Sequence, residues 1–204
     1  MAEFRSPYPG YNVLDKWDSP SWNPITRRVV ADRLYRVPPR QFLDPHLYAV
    51  LEAACARLLP QPERPEPVPI APWIDQKLVR GISDGYRFAG MPPMQQTWQR
   101  GLEGLDQESR QRFGQGVPAL NGEQQDTILQ SLQDDRARAP VWQELSAGKF
   151  FSAHLLKEVV DIYYAHPAAW NEIGFGGPAS PRGYVRMSPD RRDPWEAEEV
   201  PSHD

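Results

Sequence analysis

The sequence predicts an all-α protein: an irregular helical bundle over residues 23–166, preceded by an extended aromatic and Pro-rich segment (1–22) and followed by an extended carboxyl-terminal strap (167–204). Three observations predict it. The 23 prolines, about twice the usual ~5% share, cluster at 7–24, 38–45, 60–72 and 167–201 and leave proline-poor blocks in which helices can form. Within those blocks apolar residues recur every three or four positions, and no segment shows a convincing run of strand-type alternation. The chain of 204 residues is long enough for one domain with a real core, burying roughly 70% of its unfolded surface.

Tyr8, Tyr11, Trp17 and Trp22 lie in the first proline-rich stretch without any period, so they need another element to pack on. Asn23 followed by Pro24 has the form of a helix cap with proline in the first turn, and Ile25, Val29 and Val30 then offer a narrow apolar stripe up to about Tyr35. A second helix runs from Pro45 to Leu59, capped by Asp44, with Leu47, Val50, Leu51, Ala54 and Leu58 on one face and Pro60 as its stop. Residues 61–69 alternate proline with Glu, Arg and Val and read as an extended spacer. Ile70, Ile74, Leu78 and Ile82 predict a third helix that ends near Ser83-Asp-Gly85. A fourth begins after Pro92-Pro93 with Met94, Trp98, Leu102 and Leu105 facing inward. Gly101 and Gly104 weaken it by about 1 kcal/mol each relative to alanine, which makes sense where a neighbouring backbone comes close. Asn121 and Gln124 form a capping-box pattern ahead of Ile128, Leu129 and Leu132, with the helix running to about Arg136. The longest helix covers Lys149 to Ala165, with Phe151, Leu155, Val159 and Ile162 in a central row flanked by His154, Leu156 and Tyr163. Periodicity ends at Pro167.

Several function classes are disfavoured. A net charge of −4 provides no basic field for nucleic acid. The single cysteine, Cys55, excludes an intrachain disulfide and a thiolate zinc cluster, and reads as a small buried hydrophobe. No apolar run approaches the ~18 residues that would span a bilayer, so no direct membrane insertion is expected. The amino terminus has neither a basic leader nor an apolar stretch, and the twin arginines in Thr26-Arg-Arg-Val-Val30 are followed by the charged Ala31-Asp-Arg-Leu-Tyr-Arg36 rather than an export signal. A cytoplasmic location is therefore expected.

Catalytic parts are sparse. His46, His154, His166 and His203 are scattered and form no zinc-type spacing, so no metal ligand is assigned. The carboxylate pairs Asp134-Asp135 and Glu198-Glu199 are sequence neighbours that point apart and read as solvated charge. The glycines of Gly174-Phe-Gly-Gly177 follow no strand and lack the lysine of a phosphate loop; they more simply permit turns or close backbone contact. His166 and Asn171, with Glu172, invite an enzymatic reading, but no nucleophile or cofactor motif accompanies them. No catalytic or cofactor-binding residue is assigned in this chain.

The carboxyl-terminal stretch carries Trp170, Ile173, Phe175, Tyr184, Val185, Met187 and Trp195, too much large apolar surface for ordinary disorder, so it should be ordered by packing on its own bundle or on another chain. Each such aromatic buries about 150–250 Å² at an interface. Residues His166, Pro167, Trp170, Asn171, Glu172, Phe175, Pro178, Tyr184 and Trp195 are the candidate partner-binding set.

The run Tyr163-Tyr-Ala-His-Pro-Ala-Ala-Trp-Asn-Glu-Ile-Gly-Phe-Gly-Gly-Pro178, with Phe150-Phe151 ahead of it, resembles the gluconate 2-dehydrogenase subunit 3 family. Weaker support comes from Trp98-x-x-Gly101-Leu102-x-x-Leu105-Asp106 and from Leu58-Leu-Pro60, and the resemblance covers roughly residues 42–186. It implies a helical small subunit without a cofactor of its own, accompanying a larger flavoprotein of the glucose-methanol-choline type that carries FAD and oxidises a sugar or polyol. Some members carry a twin-arginine signal that exports the flavoprotein; the aromatic, Pro-rich amino terminus here departs from that pattern. Two other readings remain beside it: a helical adaptor for an unrelated partner, and a subunit whose residues near His166 line the partner's substrate entrance.

Overall fold

The computed structural model describes residues 6–62, 64–81, 85, 88–178 and 196–200, and every regular element among them is helical. Ile82, Tyr184 and Trp195 lie outside the described residues. In chain order the helices are α1 (Pro24–Tyr35), α2 (Pro45–Leu58), α3 (Ile70–Arg80), α4 (Met94–Phe113), α5 (Gly122–Gln133), α6 (Ala147–Lys149), α7 (Lys157–Tyr164) and α8 (Pro167–Glu172). A π-helical stretch, Phe150–Leu156, joins α6 to α7. Short 3-10 turns occupy Val13–Lys16, Val117–Ala119 and Pro140–Gln143. The chain divides into two compact units, Pro38–Ile162 and the pair of segments Met1–Val37 and Tyr163–Asp204.

In the unit spanning Pro38–Ile162, α2 packs against α3, α4 and α5. Its start is as expected: the Asp44 carboxylate accepts the Leu47 N–H at 2.8 Å and Pro45 stands in the first turn, where its missing N–H costs nothing. Leu47, Val50, Leu51 and Ala54 are buried on one face, and Cys55 beside them is buried as well. Burial, with Glu52 nearby, pushes the Cys55 thiol up to about 12, which leaves it protonated and inert. The helix α5 opens with the expected capping box, Asn121 accepting the Gln124 N–H at 3.0 Å while the Gln124 side chain accepts the Asn121 N–H at 3.1 Å. It stops at Gln133, short of Arg136.

The third helix ends earlier than its periodicity suggests, because Gly81 takes a left-handed φ of 62° and terminates it after Arg80. The inner face of α3 also carries a charge that the pattern does not announce. Asp75 is fully buried and accepts the backbone N–H groups of Gln41 (2.6 Å), Phe42 (3.1 Å) and Leu43 (2.8 Å). These three donors replace the water that a buried carboxylate loses, and in return Asp75 fixes the turn that leads into α2. Asp75→Asn keeps the shape but turns an acceptor into a donor, so it is expected to lower unfolding stability by about 2 kcal/mol, read as a shift of the urea midpoint.

The glycines of α4 have a different reason from the expected one. A Cβ at Gly101 would lie 2.2 Å from the Phe150 ring, and one at Gly104 would lie 2.4 Å from Val141 Cγ1 and 2.5 Å from the Trp142 ring. Large side chains, not a backbone, use the space. The Phe150 ring meets Trp98 edge-on at 5.7 Å between centroids and Trp142 at 6.1 Å. Of the expected inward row, Phe151, Leu155 and Val159 are buried and Ile162 is half-buried, and Phe150 is buried as well. The π-helical widening of Phe150–Leu156 is absent from a regular 3.6-residue count, since such a turn inserts one extra residue into the helix.

Asp106 on α4 ties the first turn of α2 to the turn at Val117. Its buried carboxylate accepts from Arg110 Nε (2.7 Å), the Val117 N–H (3.0 Å) and His46 Nε2 (3.0 Å). Burial alone would raise its pKa, but hydrogen bonds from Arg110, Val117 and His46, with the Arg110 charge, outweigh it and hold the carboxyl below the usual range. A folded pKa below the unfolded one stabilises the fold above the ordinary carboxylate pKa, and that contribution drains away as pH falls toward the depressed value. Asp106→Asn should therefore cost about 1–2 kcal/mol at neutral pH and flatten the acid limb of a stability-versus-pH curve; an unchanged acid limb would rule out this role.

A candidate partner-binding surface at the Trp170 motif

The other unit is built on a small apolar cluster: Val13, Trp22, Val30 and Trp170 are buried together, with Tyr11, Leu14, Trp17 and Leu34 packed against them. It joins the beginning of the chain to the segment after α7. Asn12 caps the Val13–Lys16 turn through the Leu14 N–H (3.1 Å), and Asn23 caps α1 through the Thr26 N–H (2.7 Å). The amino-terminal aromatics thus find the packing surface they need in a segment more than a hundred residues away.

The expected apolar stripe of α1 is only partly used. Thr26 and Val30, four residues apart, face inward, which turns Ile25 (69% exposed) and Val29 (44% exposed) outward. Helical geometry forces the choice, because Val29 and Val30 are about 100° apart around the axis. The stretch after Pro167 also differs from the expectation of an immediately extended strap. His166 accepts the Ala168 N–H through Nδ1 at 3.2 Å, Pro167 occupies the first turn, and α8 runs to Glu172 before the chain extends. A proline that stops one helix here starts another.

Beyond α8 the glycines admit aromatic rings. Gly174 has φ 64°, and a Cβ there would lie 2.7 Å from the Tyr8 ring; Gly177 has φ 70°, and a Cβ there would lie 3.1 Å from Trp22 and 3.3 Å from Trp170. The space a phosphate loop would leave for a ligand is filled by this unit's own side chains.

Polar groups lock the two segments together. Asn171 accepts the Val13 N–H at 2.8 Å, the Glu172 carbonyl accepts from Ser6 Oγ at 2.8 Å, and the Glu172 carboxylate accepts from the Tyr163 hydroxyl at 2.7 Å. Trp170 Nε1 donates to the Tyr164 carbonyl at 2.6 Å, and the buried Lys16 ammonium donates to the Gly176 carbonyl. The Tyr11 hydroxyl reaches the Phe175 carbonyl at 3.4 Å. Burial, then the charges of Glu196 and Asp15, push the Tyr11 phenol up to about 12, so it stays a neutral donor.

The candidate set therefore sorts by exposure. Pro167 and Trp170 are buried within the chain, while His166, Asn171 and Glu172 are half-buried and engaged in the bonds just described. Phe175 is 39% exposed, with its ring edge-on to Trp170 at 5.7 Å, and Pro178 is half-buried. Tyr184 and Trp195 lie outside the described residues. Sequence reasoning missed the exposure of Ile173 (45%) and the structural use of Lys16 and Ser6. No periodic signal marks a lysine that will be buried against a distant carbonyl.

Among the described residues no three His, Cys, Asp or Glu side chains are placed to hold a metal ion. No described helix is long and apolar enough to cross a membrane. Neither the curated proteins nor the solved structures contain a match to this chain. A family model, gluconate 2-dehydrogenase subunit 3, matches residues 45–177, which takes in α2 to α8 and the glycine run to Gly177. That match spans well over half of the sequence, and the chain belongs to the gluconate 2-dehydrogenase subunit 3 family.

Proposed function

We propose that this chain is the non-catalytic accessory subunit of an FAD-dependent sugar or polyol dehydrogenase, and that it holds and stabilises a catalytic flavoprotein of the glucose-methanol-choline type. The observation that carries the reading is the state of the family motif: its buried residues are locked to the amino-terminal segment, while Ile173 and Phe175 at its end stay exposed. The Phe175 N–H donates to the Trp170 carbonyl at 2.9 Å, so the backbone that presents the ring is already fixed. A pre-set apolar anchor loses little entropy on docking, and rigid aromatic side chains dominate interface energetics. The partner supplies the FAD; the glycines here, packed on Tyr8, Trp22 and Trp170, support a structural role rather than a flavin cradle. A ligand that binds only the folded partner stabilises it by mass action, which is the service an accessory subunit performs.

Phe175→Asp and Ile173→Asp test this at the surface. Each is expected to lower the amount of flavoprotein recovered with the tagged chain by roughly 30-fold, the effect of losing an interface hot spot, while leaving the chain's own melting temperature nearly unchanged. Full recovery with both variants would exclude this surface.

A further inference from the structure

A second surface, far from the motif in sequence, has its own chemistry. Between α4, α5 and the turn after α5 lies an open cleft of about 770 Å³. Three arginines line it, Arg112, Arg136 and Arg138, in a protein whose net charge is −4. The two carboxylates in the lining are already engaged. Glu108 accepts the Arg138 and Ala139 N–H groups at 2.7 and 2.8 Å, and Asp126 is bound by both arms of Arg57. Arg136 pairs with Asp134, whereas among the described residues Arg112 and Arg138 have no carboxylate within ion-pair distance. The charges of the lining not taken up by an ion pair or by backbone hydrogen bonds are therefore the guanidinium groups of Arg112 and Arg138.

We infer that this cleft docks an acidic segment of a partner polypeptide, with Arg112 and Arg138 taking its carboxylates. Guanidinium forks match carboxylates two bonds at a time. The alternative, a small-molecule pocket, is disfavoured by shape and lining: such pockets are mostly apolar and enclose their ligand, and this cleft is open and lined by charged, amide and hydroxyl groups. Charge selects the partner, since the overall negative field repels an acidic peptide everywhere except at a local concentration of arginine. The inference is independent of the Phe175 surface and of what the partner's cofactor is.

The test uses the full chain and a labelled oligoglutamate peptide, followed by fluorescence anisotropy at about 0.15 M salt, where charges beyond ~8 Å are screened. Saturable binding is expected, weakened about threefold by Arg112→Gln and by Arg138→Gln and about tenfold by both, in keeping with solvent-exposed pairs. Arg100→Gln, which removes a cation paired with Glu144 elsewhere, should leave it unchanged. Citrate and inorganic phosphate serve as competitors. Absence of saturable binding, indifference to the double substitution, or competition by either small anion at concentrations equal to the peptide's would overturn the inference; the last would assign the cleft to a free anion.

Discussion

Phe150→Ala is expected to destabilise the unit spanning Pro38–Ile162 by about 3–5 kcal/mol, the range for removing a large aromatic from a packed core. Phe150 is fully buried, its ring edge-on to Trp98, tilted against Trp142, and seated over the bare Cα of Gly101. Losing the ring leaves a cavity between Gly101, Trp98 and Trp142, and the melting temperature should fall on the order of 10 °C. The reciprocal change separates packing from helix propensity. Gly101→Ala gains about 1 kcal/mol in propensity but brings a methyl to 2.2 Å from the ring, and overpacking of this kind costs about 1–3 kcal/mol. Combined with Phe150→Leu, which frees the space, Gly101→Ala should cost less than it does alone. Calorimetry of the two single variants and the double variant measures that coupling; strict additivity would mean that Gly101 does not exist to admit Phe150.

Trp170→Ala is the second large effect, again about 3–5 kcal/mol, in the other unit. Among the described residues Trp170 is the only member of the Val13, Trp22, Val30 cluster supplied by the carboxyl-terminal side, and its indole N–H holds the Tyr164 carbonyl. Without it the Val13–Lys16 turn keeps its bond to Asn171 but loses its apolar floor. Hydrogen exchange is the informative probe, because it reports local opening: the Val13 and Trp17 amides should lose protection while those of α4 keep theirs. Unchanged protection at Val13 would show that the amino-terminal segment is held by something other than the motif. Flavoprotein recovery should also fall in this variant, but for a different reason than in Phe175→Asp. Trp170→Ala loosens the frame, and Phe175→Asp spoils the surface.

These contrasts show which parts of the structure were legible in the sequence. Helix starts were, because Asn23, Asp44 and Asn121 act through local bonds three residues on, which spacing alone reveals. Family membership was legible as well, from the contiguous run Tyr163–Pro178. What was not legible depends on distant partners. The amphipathic pattern of α1 offered Ile25, Val29 and Val30 equally, and it is Val30 that turns inward, onto the cluster of Val13, Trp22 and Trp170. Gly101 and Gly104 signalled close approach, but their spacing does not say whether a backbone or an aromatic ring approaches. The extra residue of the π-helical turn leaves no trace in an apolar count, since Phe150 and Phe151 are both apolar. At the motif the division of the candidate residues into a buried frame and an exposed tip required the three-dimensional fold. Trp170, one of the aromatics expected to serve as anchors, spends its surface inside the chain, whereas Phe175 and Ile173 stay exposed.

That division also refines the competing readings. An enzyme acting through His166, Asn171 and Glu172 would have to release groups that cap α8, hold Val13 and hold Tyr163. Turnover by the isolated chain, abolished in His166→Ala, would be its signature. A helical adaptor for an unrelated partner would use the same exposed residues with a different protein.

Purification of the tagged chain from its native source under non-denaturing conditions, with molar mass by light scattering and the absorption spectrum recorded across the same elution peak, tests the central proposal most directly. The accessory-subunit reading predicts one peak well above the 23.3 kDa of the chain, carrying a second polypeptide, a flavin spectrum and sugar- or polyol-dependent reduction of that flavin. A peak at the mass of the chain alone, or a complex of higher mass without flavin, would contradict it.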